Sequence, residues 1–91
     1  MKNNNQIDNT SYYTLPSGKQ LEDFIHTKNL TFGAGSALKY LWRAGKKDGE
    51  SKEKDLKKAE HYIRFLARRT DNNECAVRNA LDNLINEAKE Y

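Results

Sequence analysis

Lys39 and Arg43 stand four residues apart in the stretch G-A-G-S-A-L-K-Y-L-W-R-A-G-K-K, residues 33–47. On a helix that spacing puts both cations on one face, one turn apart. Such a pair can clamp a phosphate or a carboxylate, with Arg supplying a planar fork and Lys a point charge. Ser36 and Tyr40 share that face, at i, i+3, i+4 and i+7 counted from Ser36. Gly33, Gly35 and Ser36 stand where this helix is predicted to begin. Glycines at a helix start free backbone N–H groups to meet an anion, and the helix dipole favours negative charge there. Ser36 fits as well as a plain N-cap, with the glycines permitting a sharp turn. The pattern is not a Walker A loop, because no G-x-x-x-x-G-K-[ST] occurs in the chain. Lys46, Lys47 and Lys58 can complete a basic rim. Asp55 fits three roles: a partner for the helix dipole, an ion pair for Arg43 or a lysine, or a general base.

Other reactive constellations are missing. Cys75 is the single cysteine, so no intrachain disulfide forms, and no Cys/His spacing resembles a zinc site. His26 and His61 have no Ser or Cys arranged around them as a nucleophilic set. The charge is +3 over 91 residues, but it is unevenly placed. From Lys39 to Arg69 there are eleven Lys or Arg against five Asp or Glu, a local balance of +6, and the remainder sums to −3. A basic middle between mildly acidic ends favours an anionic ligand. Nucleic acid is the weaker option at this level, because the charge is modest and acids interrupt the basic run. The polar N-terminus, M-K-N-N-N-Q-I-D-N-T, holds no apolar run, so neither a signal peptide nor a membrane span is expected there, and a cytoplasmic protein is.

The elements that must position these groups are predicted to be all helical. Residues 1–10 read as a disordered, Asn-rich arm, and 11–91 as one helical domain. Residues 11–16, S-Y-Y-T-L-P, form an extended strap, since Pro16 biases Leu15 away from helix. Ser17 and Gln20 offer a capping box that would start the first helix at Ser17. The second helix is expected from Gly35 to Ala44, with Leu38, Leu41 and Trp42 as its apolar side and Gly45 as its C-cap. The third runs from Ser51 to Arg69, its core stripe Leu56, Ala59, Ile63 and Leu66 widened by Tyr62 and Phe65. Asp71 and Glu74 suggest a cap for the fourth. The last two helices are predicted to pair as an antiparallel hairpin. The result is a small all-α bundle of about four helices. So short a chain has a thin core, which favours a homo-oligomer.

The order of these residues resembles a family of small phage proteins long catalogued as a domain of unknown function. Its pattern runs from an aromatic pair through a short helix to G-N-[AV]-[IL]-K-Y-[IVL]-x-R-[AS]-G-x-K, then D-L-x-K-A-x-x-Y-[IL]. This chain shows Tyr12-Tyr13, then Gly35 to Lys47, then Asp55 to Ile63. The family includes a phage nucleotide kinase without a P-loop and a lactococcal phage protein that triggers an abortive-infection system. The resemblance therefore implies a phage origin and a compact helical domain. For kinase-like members it implies binding of a nucleoside monophosphate and a triphosphate donor such as ATP. Carried over by position, Gly35, Lys39, Arg43, Lys47, Asp55 and Lys58 become site residues. Two positions depart: the usual His-Tyr is Tyr12-Tyr13, and the usual Asn after Gly35 is Ser36. The leading expectation is a nucleotide- or phosphate-binding protein, with kinase activity as its sharper form. The alternative is a non-enzymatic phage protein that binds a host or defence factor, or sequesters a signalling nucleotide.

Overall fold

The computed structural model describes residues 12–46 and 49–91. The predicted arm at 1–10 lies outside them, as do Ser11, Lys47 and Asp48. Within them the architecture is all-α: α1 Leu21–Thr27, α2 Phe32–Ala44, α3 Gly49–Thr70 and α4 Glu74–Glu90. No helix among the described residues is long and apolar enough to cross a membrane.

The strap folds back on itself ahead of α1. Leu15 N–H donates to Lys19 O at 2.7 Å, and Leu21 N–H donates to Tyr13 O at 2.7 Å. Thr14 and Gln20 form an isolated antiparallel bridge, so the strap's partner is the chain just beyond its own turn. Gly18, at φ +94, takes the left-handed step this turn needs. That step excludes the expected helix start at Ser17. Gln20 is the N-cap instead: its N–H donates to Asp23 Oδ2 at 3.3 Å, and Asp23 N–H donates to the Gln20 carbonyl at 3.0 Å.

The second helix also starts earlier than its glycines suggest. Thr31 is its N-cap, and its hydroxyl accepts from Ala34 N–H at 3.2 Å. Gly33 and Gly35 are therefore helical, and both are buried. Two neighbours close on them. A Cβ on Gly33 would meet Leu66 Cδ2 and the Phe65 ring at 3.2 Å, and one on Gly35 would meet Ile25 Cγ2 at 3.1 Å. The glycines let α1 and α3 approach the start of α2.

Gly35→Val tests this. Ile25 is β-branched, so its Cγ2 cannot swing away cheaply within α1. The valine branches should overpack the contact and lower stability by about 1–3 kcal/mol in urea unfolding. Gly35→Ala should be milder, because about 1 kcal/mol of helix propensity offsets its tighter contact.

The closest helix pairing is α2 with α3; α3 and α4, expected to pair, also touch, but less extensively. The α2–α3 pair is antiparallel: Gly33 faces Phe65 and Leu66, Tyr40 faces Lys58 and Tyr62, and Arg43 faces Asp55. Only four positions separate Ala44 from Gly49, a length suited to joining antiparallel helices. The core combines Leu15, Leu21 and Phe24 with Leu38, Leu41 and Trp42 of α2, Ala59, Ile63 and Ala67 of α3, and Leu81 and Ala88 of α4. Leu56 and Leu66 are only half-buried, and Phe65 is exposed, so the predicted stripe of α3 is rotated toward its small residues. Asn73 caps α4 through Ala76 N–H, where Asp71 was expected. Tyr91 ties that helix to α1, its ring edge-on to Phe24 and its hydroxyl 2.7 Å from Thr27 Oγ1.

Candidate cation–aromatic site

Among the described residues Arg43 is the best-anchored cation. Its NH1 donates to the Tyr13 hydroxyl at 3.1 Å, and its Nε stands 3.4 Å from Asp55 Oδ2. The second contact is a charge pairing and not an aligned hydrogen bond. The guanidinium carbon also lies 5.7 Å from the Tyr12 ring centroid. The strap and α3 thus grip one α2 side chain from two sides. The hydrogen bond to Tyr13 is the main influence raising the Arg43 pKa above its ordinary value, against the cost of partial burial, with the charge of Asp55 adding to the rise. The group remains a cation at any working pH.

Asp55 is 2% exposed. A carboxylate so enclosed cannot reach a ligand on the surface. It pairs with Arg43, so of the three expected roles the ion pair is the one this geometry displays.

Three more predicted residues gather one turn away. Lys39 Nζ lies 5.8 Å from the Tyr40 ring centroid and Lys58 Nζ 5.4 Å. Lys39 also stands 5.7 Å from the Tyr13 ring. Tyr40 is stacked on Tyr62, their planes 12° apart and centroids 6.1 Å apart. Cation–π attraction and ring stacking hold the lysines beside α2 and limit their spread into solvent. Lys39, Arg43 and Lys58 therefore flank one aromatic platform, supplied by α2, α3 and the strap.

Other predicted members stand elsewhere. Gly35 offers no free amide, because its N–H donates to Thr31 O at 2.8 Å inside the helix. Ser36 is half-buried a full turn inside α2 and is not the cap. The anion cradle expected at Gly35-Ser36 is thus replaced by a packing contact. Lys46 Nζ lies over the Trp42 ring at 5.5 Å, in a groove lined by Leu15, Leu41, Ile85 and Lys89 and not by Tyr40. Lys47 lies outside the described residues. His61 and His26 are exposed, and His61 meets only the edge of Tyr62 among the described ring contacts. No group of three His, Cys, Asp or Glu able to hold a metal exists among the described residues.

The residues that sequence reasoning missed are Tyr12 and Tyr13 as partners of the cations, and Phe32. The tyrosines read as packing for a strap, since nothing in their spacing connects them to Arg43 thirty positions away. Phe32 is 80% exposed and meets Tyr62 edge-on at 6.0 Å. By sequence it falls in the loop between the first two predicted helices.

Comparison with known proteins gives two findings. The model of a family described as a protein of unknown function, DUF3310, matches residues 5–64. The chain is also similar to the SaV protein of Lactococcus phage SK1, 41% identical over 69 residues. That match covers 70% of this chain and 54% of the relative, so the chain spans about half the relative's length. No solved structure matches.

Proposed function

This chain belongs to the DUF3310 family of proteins of unknown function, and from that premise and the site geometry we propose that it is a phage-encoded protein that binds a nucleotide or a similar phosphate-bearing anion. One observation carries the reading: two lysines from different helices, Lys39 and Lys58, lie within 6 Å of one tyrosine ring, with Arg43 fixed on the next turn. Three like charges repel, and a core gains nothing from collecting them. A bound phosphate offsets that repulsion and adds charge-assisted hydrogen bonds. Tyr40 supplies an apolar surface on which a base can rest.

The sharper form is phosphoryl transfer from ATP to a nucleoside monophosphate. Catalysis there is mainly positioning and charge neutralisation. Lys39 and Lys58 would neutralise the transferred phosphoryl group, and Arg43, held by Asp55 and Tyr13, would fix its orientation. In this scheme Asp55 is a positioning residue. The support for transfer itself is the sequence resemblance, whereas the support for anion binding is the cation cluster.

Thermal denaturation with ATP, the deoxynucleoside monophosphates and inorganic phosphate tests the binding. A ligand at a hundred times its Kd raises stability by about 2.7 kcal/mol, a clear rise in Tm. Incubation with ATP and each monophosphate then tests transfer by the appearance of diphosphate. Stabilisation without product leaves a sequestering protein. No stabilisation by any nucleotide or phosphate rejects the reading, and it turns attention to the host-factor alternative.

A further inference from the structure

The cation cluster does not end at Tyr40. On α3, Lys54, Lys58, Tyr62, Phe65 and Arg69 follow one another at steps of four, four, three and four. Such steps place them on one stripe of the helix. On α2, Phe32, Ser36, Tyr40 and Arg43 do the same, with Lys39 beside them. The antiparallel pairing lays the two stripes side by side. Tyr62 is the joint: it stacks on Tyr40 and meets Phe32 edge-on. Arg69 lies over the Phe65 ring at 5.8 Å and closes the far end. The seam carries cations around Tyr40 at the Arg43 end, a run of rings through Tyr62, Phe32 and Phe65, and a cation again at Arg69.

Three of the acids in the basic run are drawn away from the seam, while exposed Glu50 stands one turn before Lys54, at the outer end of the stripe. Glu53 and Glu60 line a separate depression with Leu56 and Lys57, and Glu60 pairs with Arg64. Asp55 is buried beneath Arg43. Counting charge along the sequence therefore understates the charge along this seam.

We propose that the α2–α3 seam binds a single-stranded polynucleotide, its phosphates tracked by Lys39, Arg43, Lys54, Lys58 and Arg69 and its bases stacked on Phe32 and the neighbouring rings. This rests on the anion-binding reading of the Tyr40 cluster and extends it from one nucleotide to several. A grooved line of positive charge with aromatic plates is what sequence-tolerant single-strand binding requires. The α3 stripe runs from Lys54 to Arg69, fifteen helical rises or about 22 Å. At about 3.4 Å per phosphate that length serves up to about six stacked nucleotides. An acidic peptide would match the charge but not the rings. A peptide anchor needs a hollow, and Phe32, 80% exposed, is a projecting plate.

Binding is measured by calorimetry with dTMP, then with oligothymidylates of two, four and eight residues, octauridylate, and polyglutamate of similar charge. Octamer affinity should exceed that of the dinucleotide at least tenfold, for DNA, RNA or both. It should fall with salt at a log–log slope of about −3, as for four or five phosphate contacts. Phe32→Ala combined with Arg69→Gln, both on exposed positions, should remove that gain, with circular dichroism confirming the fold. Mononucleotide binding with a flat length series overturns this proposal and leaves the anion-binding reading standing. No binding to any of them overturns both. Polyglutamate binding as tightly as the octamer also overturns it, because the rings then contribute nothing.

Discussion

Arg43→Ala is expected to lower stability by about 3 kcal/mol and to weaken phosphate-bearing ligands at least tenfold. The stability loss comes from the partner left behind. Asp55 is 2% exposed, so the substitution strips a buried carboxylate of its guanidinium, and breaking such a pair from one side costs about 3–5 kcal/mol. The lower end applies because a third of the Arg43 side chain is exposed and solvent screens part of the interaction. Asp55→Ala should cost less, about 1–2 kcal/mol, because the freed guanidinium can turn toward water. The double variant should be less destabilised than the two single losses added together. Urea unfolding of the four proteins measures this asymmetry. Equal single losses that simply add would mean the two groups do not support one another. The binding loss is read separately on Arg43→Lys, which keeps the charge and loses the planar fork.

Leu38→Ala should reduce stability by about 3–4 kcal/mol. Leu38 is fully enclosed at the middle of α2, where the strap, α3 and α4 converge on the core. Truncation removes its transfer energy and leaves a cavity that three packed helices cannot fill. A domain of this size holds roughly 5–14 kcal/mol in all, so a large share would be lost. Thermal denaturation should show Tm falling by about 15 °C or more. A fall under a few degrees would mean that this core relaxes around the gap.

Helix number, type and the cationic face of α2 were legible because they depend on local spacing. Lys39, Tyr40 and Arg43 share a face in any α-helix, and the capping residues lie within three positions of what they cap. The helix starts were less legible because competing signals overlap. Ser17 and Gln20 satisfy the capping pattern, but so do Gln20 and Asp23, and the left-handed Gly18 decides between them. Gly33 and Gly35 marked a turn by composition. Their actual use depends on Ile25, Phe65 and Leu66 arriving from other helices, which no local rule contains. Lys46 illustrates the same limit: one helical turn past Trp42, it settles on that ring and leaves the Arg43 side. The contact from Arg43 to Tyr13 crosses thirty residues, and the segregation of Glu53 and Glu60 from the seam is invisible until the chain is wound.

Trp42 is the sole indole in the chain, enclosed at 6% exposure beneath Lys46 and lining a groove to which Tyr40 does not contribute. Nature has thereby fitted the protein with an emission probe that watches the interior. Its fluorescence should shift to longer wavelength when the helices separate. It should stay nearly constant while the Tyr40 cluster fills, so melting and occupancy can be followed in one cuvette as independent signals.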